Sequence, residues 1–209
     1  KVYSPMGSNF GDLDNDGYLD FYLGTGDPNM GMLIPNRLFK NVGGKRFAEI
    51  TASSRTGHLQ KGHAISFADW NRDGSQDLFI QLGGAIPGDR YHNVMFQNPG
   101  QSNHWLSIKL IGVKSNRSAI GARIKVVTAG DQPLTIHREV TPGSSFGANP
   151  LEQHFGLGKA DRVARIEITW PATGSKQVFE NVAANQGLVV KEFEKEFTTR
   201  TWKPIQVPK

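Results

Sequence analysis

Phe10-Gly11-Asp12-Leu13-Asp14-Asn15-Asp16-Gly17-Tyr18-Leu19-Asp20-Phe21 recurs 57 residues later as Phe67-Ala68-Asp69-Trp70-Asn71-Arg72-Asp73-Gly74-Ser75-Gln76-Asp77-Leu78. The register then holds without a gap, so that Asn36, Leu38, Phe39, Asn41 and Gly43 fall on Asn93, Met95, Phe96, Asn98 and Gly100. Two separate patches in one register mark an internal repeat, with one supersecondary unit per period. Residues 19–23 and 78–82 are apolar, aromatic-rich runs after an Asp-Gly turn, and residues 37–39 and 94–96 read as a second short strand in each unit. Helix is minor, because no window carries a long 3.6-residue apolar stripe. Short strands at this period predict two β-propeller-type blades, about 6–62 and 63–102. Two blades do not close a ring.

The acidic stretch of each unit carries its chemistry. In the first, Asp12, Asp14, Asp16 and Asp20 stand at positions 1, 3, 5 and 9 of a loop with Gly17 at position 6. A loop winding around a hard cation presents alternate side chains inward, needs glycine for the sharp turn, and offers the carbonyl of position 7, here Tyr18. The second loop supplies Asp69, Asn71, Asp73, the Ser75 carbonyl and Asp77. Oxygen-only donors favour calcium over zinc or copper. Position 12, a bidentate Glu in an EF-hand, falls on Leu23 and Ile80 inside strands, so these are strand-loop-strand sites. Two Ca²⁺ sites are expected, the first tighter because it carries one more carboxylate, with affinities on the order of 10⁻⁵ to 10⁻³ M.

From about residue 103 the pattern changes. Residues 105–110, 122–127, 134–140, 163–170, 177–182 and 188–193 are strand-like and separated by Gly, Pro, Asn and Asp turns. Residues 164–170 alternate strictly, which puts Ala164, Ile166, Ile168 and Trp170 on a buried face and Arg165, Glu167 and Thr169 in water. Six or more short strands predict a small antiparallel β-sandwich or barrel over 103–193. Residues 194–209 read as an extended C-terminal tail that Phe197 and Trp202 could dock on a neighbour.

Composition excludes several classes. The 209 residues include 24 Gly, 11 Pro and no Cys, which removes disulfide scaffolds, thiolate zinc sites and Cys nucleophiles. No apolar run approaches the ~20 residues of a membrane span. The net charge of +5 is unevenly spread, with nine Lys/Arg against ten Asp/Glu in residues 1–100 and fifteen against nine in residues 101–209. That basic excess is dispersed along alternating segments without aromatic interleaving, which fits a solvated sheet face and not a nucleic-acid site. The chain opens Lys1-Val2-Tyr3, with neither an initiator Met nor a signal segment, and is expected to be a processed product or a piece of something longer.

Other motifs are weaker. Gly143-Ser144-Ser145-Phe146-Gly147 matches G-x-S-x-G, with His154 and Asp161 downstream. Ala148-Asn149-Pro150 does not start the helix that a nucleophile elbow needs, and the order Ser, His, Asp is wrong for that fold. Gly156-Leu157-Gly158 reads as a tight turn, and His104 and His154 as core or boundary histidines.

With these residues in view the chain resembles the FG-GAP/VCBS-repeat plus ASPIC/UnbV family, a group that includes cartilage acidic protein and many bacterial surface proteins. The repeat signature lies at 10–20 and 67–77, followed by Leu38-Phe39-Lys40-Asn41 and Met95-Phe96-Gln97-Asn98. The second signature runs through Asn103-His104-Trp105-Leu106, Ile120-Gly121-Ala122-Arg123, His154-Phe155-Gly156-Leu157-Gly158 and Ile168-Thr169-Trp170-Pro171. The resemblance implies two FG-GAP/VCBS repeats over 1–102, an ASPIC/UnbV β-domain over 103–193 and export from the cell. It implies a calcium-bearing propeller of about seven blades, of which two are visible.

The expected function is a calcium-binding extracellular or cell-surface scaffold, or an adhesion or assembly module, without catalysis; a periplasmic location is also compatible. Its partner would be another protein, a homo-oligomer or a larger assembly, with no nucleic acid and no membrane span. A carbohydrate-binding module using Tyr18, Trp70 and Tyr91 as stacking platforms for a glycan is the alternative, and a hydrolase using Ser145 a third reading.

Overall fold

The computed structural model describes residues 3–27, 29, 34–84, 87–143, 146–201 and 203–205. The first repeat unit forms an antiparallel sheet of β1 (Pro5–Gly11), β2 (Asp20–Thr25), β3 (Arg37–Val42) and β4 (Arg46–Glu49), in that spatial order. One helical turn, α1 (Thr51–Ser54), leads to a second sheet of β5 (Gly62–Ala68), β6 (Asp77–Leu82) and β7 (Val94–Phe96), ordered the same way. The acidic loops are the β1–β2 and β5–β6 connections.

Alternation along the strands puts Tyr22 and Leu38 on one face of the first sheet. They share a core with Ile65, Phe67, Leu78, Ile80 and Leu82 of the second. β1 and β5 lie outside the strands expected from sequence. In β1 the inward positions are Gly7, Asn9 and Gly11, so no apolar alternation betrays it. Glycine is required at 11, where a Cβ would lie 2.3 Å from the Phe67 ring.

The second half contains β8 (His104–Ile111), β9 (Arg123–Thr128), β10 (Thr135–Glu139), β11 (Gln153–Gly158), β12 (Arg162–Thr169), β13 (Lys176–Ala183), β14 (Gln186–Lys191) and β15 (Thr198–Arg200). They make two four-stranded sheets, ordered β10-β9-β12-β13 and β11-β8-β14-β15. Ile124, Val126, Ile166 and Ile168 from one sheet meet Leu106, Ile108, Leu188 and Val190 from the other in one buried core with Phe155 and Trp170. The four residues read as the buried face of 164–170 point inward only in part: Ile166, Ile168 and Trp170 are buried, whereas Ala164 is exposed beside a register shift between Val163 and Arg165.

Two expectations are corrected. Of the two forms expected the domain takes the sandwich, but it is not wholly antiparallel, because β14 pairs parallel to β8 from Gln186↔Leu106 to Lys191↔Ile111. Alternation specifies which face of a strand is buried, not the direction of its neighbour. The region expected as an extended tail supplies β15, which pairs with the outer edge of β14 from Gly187↔Arg200 to Val189↔Thr198. That edge would otherwise expose unpaired N–H and C=O groups. Phe197 docks within the chain, edge-on to Phe179 at 5.4 Å, and Trp202 lies outside the described residues. Among the described residues no helix is long and apolar enough to cross a membrane.

Candidate metal centre

In the β1–β2 loop, Asp12 is fully buried, and its two oxygens accept the backbone N–H groups of Asp16 at 3.0 Å and Gly17 at 2.9 Å. Asp20 accepts from Leu13 at 3.0 Å and from Asn41 at 2.8 Å, which ties the loop to the end of β3. Asp14 is bound through Oδ2 by the Lys40 ammonium, while its Oδ1 is buried without a hydrogen-bond partner. Oxygens of Asp12, Asp14 and Asp20 all lie within 4.8 Å of one another. That spacing suits oxygens sharing one cation at ~2.3–2.6 Å. Asp16 uses Oδ1 to accept from the Tyr18 N–H at 2.9 Å and stands outside this cluster.

Crowding leaves an electrostatic mark. Burial, and next the Asp16 charge, push Asp12 up to about 7, and burial raises Asp20 to about 6. Burial also raises Asp16.

The β5–β6 loop repeats the turn but not the cluster. Asp69 accepts from Asp73 at 3.0 Å and Gly74 at 2.9 Å, and Asp77 accepts from Asn98 at 2.8 Å. Asp73 accepts from the Ser75 N–H at 2.9 Å, and its other oxygen is held by the Asn71 amide at 2.7 Å. Burial pushes Asp69 and Asp77 up to about 6 each. Asp77 Oδ2 is buried without a hydrogen-bond partner. Among the described residues, three acidic side chains converge only at the first loop.

Both loops lie against the sandwich, although the repeats and the β-domain are separate units in sequence. Asn15, fully buried between the ligand positions, donates to the Gly74 carbonyl at 2.9 Å and pairs with His154 Nε2 at 2.7 Å. It thereby joins loop one to loop two and to β11. Its φ of 53° is left-handed, a conformation that Asn tolerates better than most residues. The Asn103 amide donates to the Asp14 carbonyl at 2.7 Å, and Asn98 to that of Leu13 at 2.7 Å. Gly156 sits so close that a Cβ would lie 2.2 Å from Asp12 Oδ2. Trp105 stacks on His154, with ring centres 6.0 Å apart, and covers Gly74. Burial, with Arg138 nearby, drives His154 down to about 3, so the ring at the loops is neutral. From β10, Arg138 sets its guanidinium 5.6 Å from the Phe155 ring centre and near enough to Asp12 to offset part of its charge. These signature residues stood in the sequence without a role, because only the folded chain places β8 and β11 over the loops.

Asn149 makes a second seam. It accepts from Phe67 N and Asn9 Nδ2, each at 2.8 Å, and donates to the Phe10 carbonyl at 2.7 Å, so one amide bridges β1 and β5. The site is half-exposed and water can replace part of the loss, so Asn149→Ala is expected to cost about 1–2 kcal/mol. A urea titration checks this; an unchanged midpoint would remove Asn149 from the seam.

For the other readings, Ser145 lies outside the described residues. His154 Nε2 is engaged by Asn15, and Asp161 is exposed. Of the three proposed platforms Tyr91 is exposed, whereas Tyr18 and Trp70 are half-buried.

These features define an all-β chain in which acidic-loop repeats are clamped by a β-sandwich. Residues 12–80 match the FG-GAP-like repeat, and residues 112–197 match the ASPIC and UnbV domain. The chain therefore joins an FG-GAP-like repeat segment to an ASPIC/UnbV domain. No curated protein matches it. Among solved structures it is similar, at 10% identity and a TM-score of 0.30, to a "putative cell adhesion protein" from Bacteroides ovatus ATCC 8483. That alignment covers 100% of this chain and 90% of the other, and a likeness so distant carries nothing over to this chain.

Proposed function

We propose that the chain is a calcium-binding interaction module of the cell exterior, acting in adhesion or assembly and without catalysis. The two ions would sit in the β1–β2 and β5–β6 loops. The observation that carries the reading is the convergence of Asp12, Asp14 and Asp20, with a buried Asp14 oxygen that has no hydrogen-bond partner. A divalent ion would satisfy that oxygen and favour the ionised forms of Asp12 and Asp20, whose carboxyls are raised first by burial. The donor set is all oxygen, which suits calcium.

In this reading Asp12, Asp14 and Asp20 hold the first ion, with Asp16 and the Tyr18 carbonyl completing its shell. Asp69, Asn71, Asp73, Asp77 and the Ser75 carbonyl hold the second, once Asn71 releases Asp73. Asn15 couples both loops to the sandwich, so ion binding would stiffen the seam between repeats and ASPIC/UnbV domain. A propeller-type arrangement of the two repeat sheets fits their shared strand order and face-to-face packing.

Calorimetric titration of chelator-treated protein with calcium tests this. Heat from two binding events is expected, the tighter removed by Asp14→Asn. Absence of heat in the wild-type chain would end the calcium reading.

A further inference from the structure

The seam between repeats and sandwich encloses a cavity of about 440 Å³, a size at which proteins hold small ligands. The ends of β1 and β5, with the acidic loops that follow them, form one wall, and β8, β10, β11 and β15 supply the other. Both units therefore shape it.

Hydrogen-bond donors are in surplus there. Arg138 lines the cavity from β10, and its hydrogen bond among the described residues runs from Nη1 to the carbonyl of its own neighbour His137, at 3.0 Å. Its Nη2 is buried without a partner, and it enters no ion pair among the described residues. Asp12, whose charge it feels, keeps both oxygens on the N–H groups of Asp16 and Gly17. Gln76, buried at the end of the second loop, spends its Oε1 on the Asp12 N–H at 2.8 Å, and its amide nitrogen finds no acceptor among the described residues. Arg72, exposed on the same loop, pairs with no carboxylate among them.

The acids of the lining, by contrast, are engaged. Glu152 accepts from the Ser107 hydroxyl and from Arg200 at 3.0 Å, Glu139 from Arg123 at 3.2 Å, and Asp69 from N–H groups of its own loop. A ligand that answers both sets brings one anionic group for Arg138, Arg72 and Gln76, and hydroxyls that donate to the lone pairs the acids retain. An acidic peptide stretch or a phosphate ester would set its further charge against three carboxylates. Leu19 and Pro150 add apolar surface for a ring. We propose that this cavity binds an acidic sugar, a pyranose ring with one carboxylate, placed with the carboxylate on Arg138 and the hydroxyls toward Glu139 and Glu152. The inference adds a ligand to the interaction role above and does not rest on calcium.

NMR titration of the whole chain with the methyl glycosides of galacturonate, glucuronate and N-acetylneuraminate, in calcium and in chelator, tests it. For a ligand this small a dissociation constant on the order of 1 mM is expected for at least one of the three, with neutral methyl galactoside and glucoside about tenfold weaker or worse. Arg138→Gln, checked by circular dichroism, should weaken the acidic sugar about tenfold or more and the neutral ones little, because a charge-assisted pair is lost. If that variant does not fold, the exposed Arg72→Glu is measured in its place and should weaken the acidic sugar about threefold or more. No binding by any of the three, equal binding by the neutral sugars, or a folded variant that binds like wild type overturns the proposal. So does equally tight binding of acetylglutamate amide, which would make this a site for a peptide carboxylate, and binding seen only with calcium, which would put the carboxylate on a loop ion. Sugar binding in chelator from a chain that gives no heat with calcium defeats only the calcium site; calcium heat without sugar binding defeats only this inference.

Discussion

Calcium is expected to raise the unfolding midpoint of the chelator-treated chain by about 5–10 °C at pH 7.5 for each loop filled, and by much less at pH 5. The size follows from linkage: a ligand at ~100 times its dissociation constant stabilises by about 2.7 kcal/mol, and a chain of this length shifts ~2–4 °C per kcal/mol. The pH dependence follows from the carboxylates. Asp12 is raised to about 7, and Asp20, Asp69 and Asp77 to about 6, with burial the main cause in each case. A carboxyl raised in the fold contributes stability that is complete below its ordinary range near 4 and is lost as pH rises through the folded value. Without ions the chain should therefore weaken between pH 5 and 7.5. With calcium the ionised form is the one bound, and the weakening should vanish.

Asp14→Asn separates the ion from the loop. The other two carboxylates of the cluster each accept two backbone N–H groups, so altering them would damage the turn as well. Asp14 is held by a lysine alone. That ion pair is part-exposed, with side-chain accessibilities of 38% and 29%, and is worth about 1 kcal/mol or less. In chelator the variant should melt within about 4 °C of wild type, whereas the first loop's share of the calcium shift should disappear. Equal calcium shifts in both proteins would rule out a first-loop ion.

Much of this arrangement was legible in the chain, for reasons particular to certain residues. The two Asp-x-Asp-x-Asp-Gly loops are readable because metal-type spacing is a local property. Six of the seven strands from β8 to β14 announce themselves largely through alternating Ile, Val and Leu, whereas β11, with Gly156 and Gly158, reads as a turn. β1 did not, because its inward side is Gly and Asn, fitted to a closely packed neighbour. The contact between loops and sandwich was unreadable for another reason. Asn15 reaches Gly74 over 59 positions and His154 over 139, and no local pattern marks such a partner. Gly156 looked like an ordinary turn glycine, yet its missing side chain leaves room for the Asp12 carboxylate. The parallel pairing of β8 and β14 was equally silent, since reversing a strand leaves its alternation unchanged.

Glu192 carries the other large expected effect, far from the loops. It follows β14, is 1% exposed, and lies beneath the turn after β8. Its Oε2 accepts the N–H groups of Val113, Lys114 and Ser115 at 2.8, 2.7 and 2.8 Å, and Oε1 accepts the Ser115 hydroxyl at 2.9 Å and that of Thr173 at 3.2 Å. Burial opposes the charge, but the donors outweigh it and hold the carboxyl down at about 2. Three successive N–H groups aimed at one oxygen favour an anion; an amide that keeps its oxygen there sets its own donor against the Ser115 and Thr173 hydroxyls, which must turn from donating to accepting. Glu192→Gln is therefore expected to cost about 3 kcal/mol, or ~6–12 °C in midpoint, because charge-assisted bonds are lost and donors are left buried. For a carboxyl lowered in the fold, the contribution is complete above its ordinary range near 4.5 and is lost as pH falls toward 2. The gap between wild type and variant in urea should therefore be constant from pH 7 to pH 5 and close progressively below pH 4. A gap that persists undiminished at the lowest pH at which both chains fold would mean that shape, not charge, fits Glu192 to the turn.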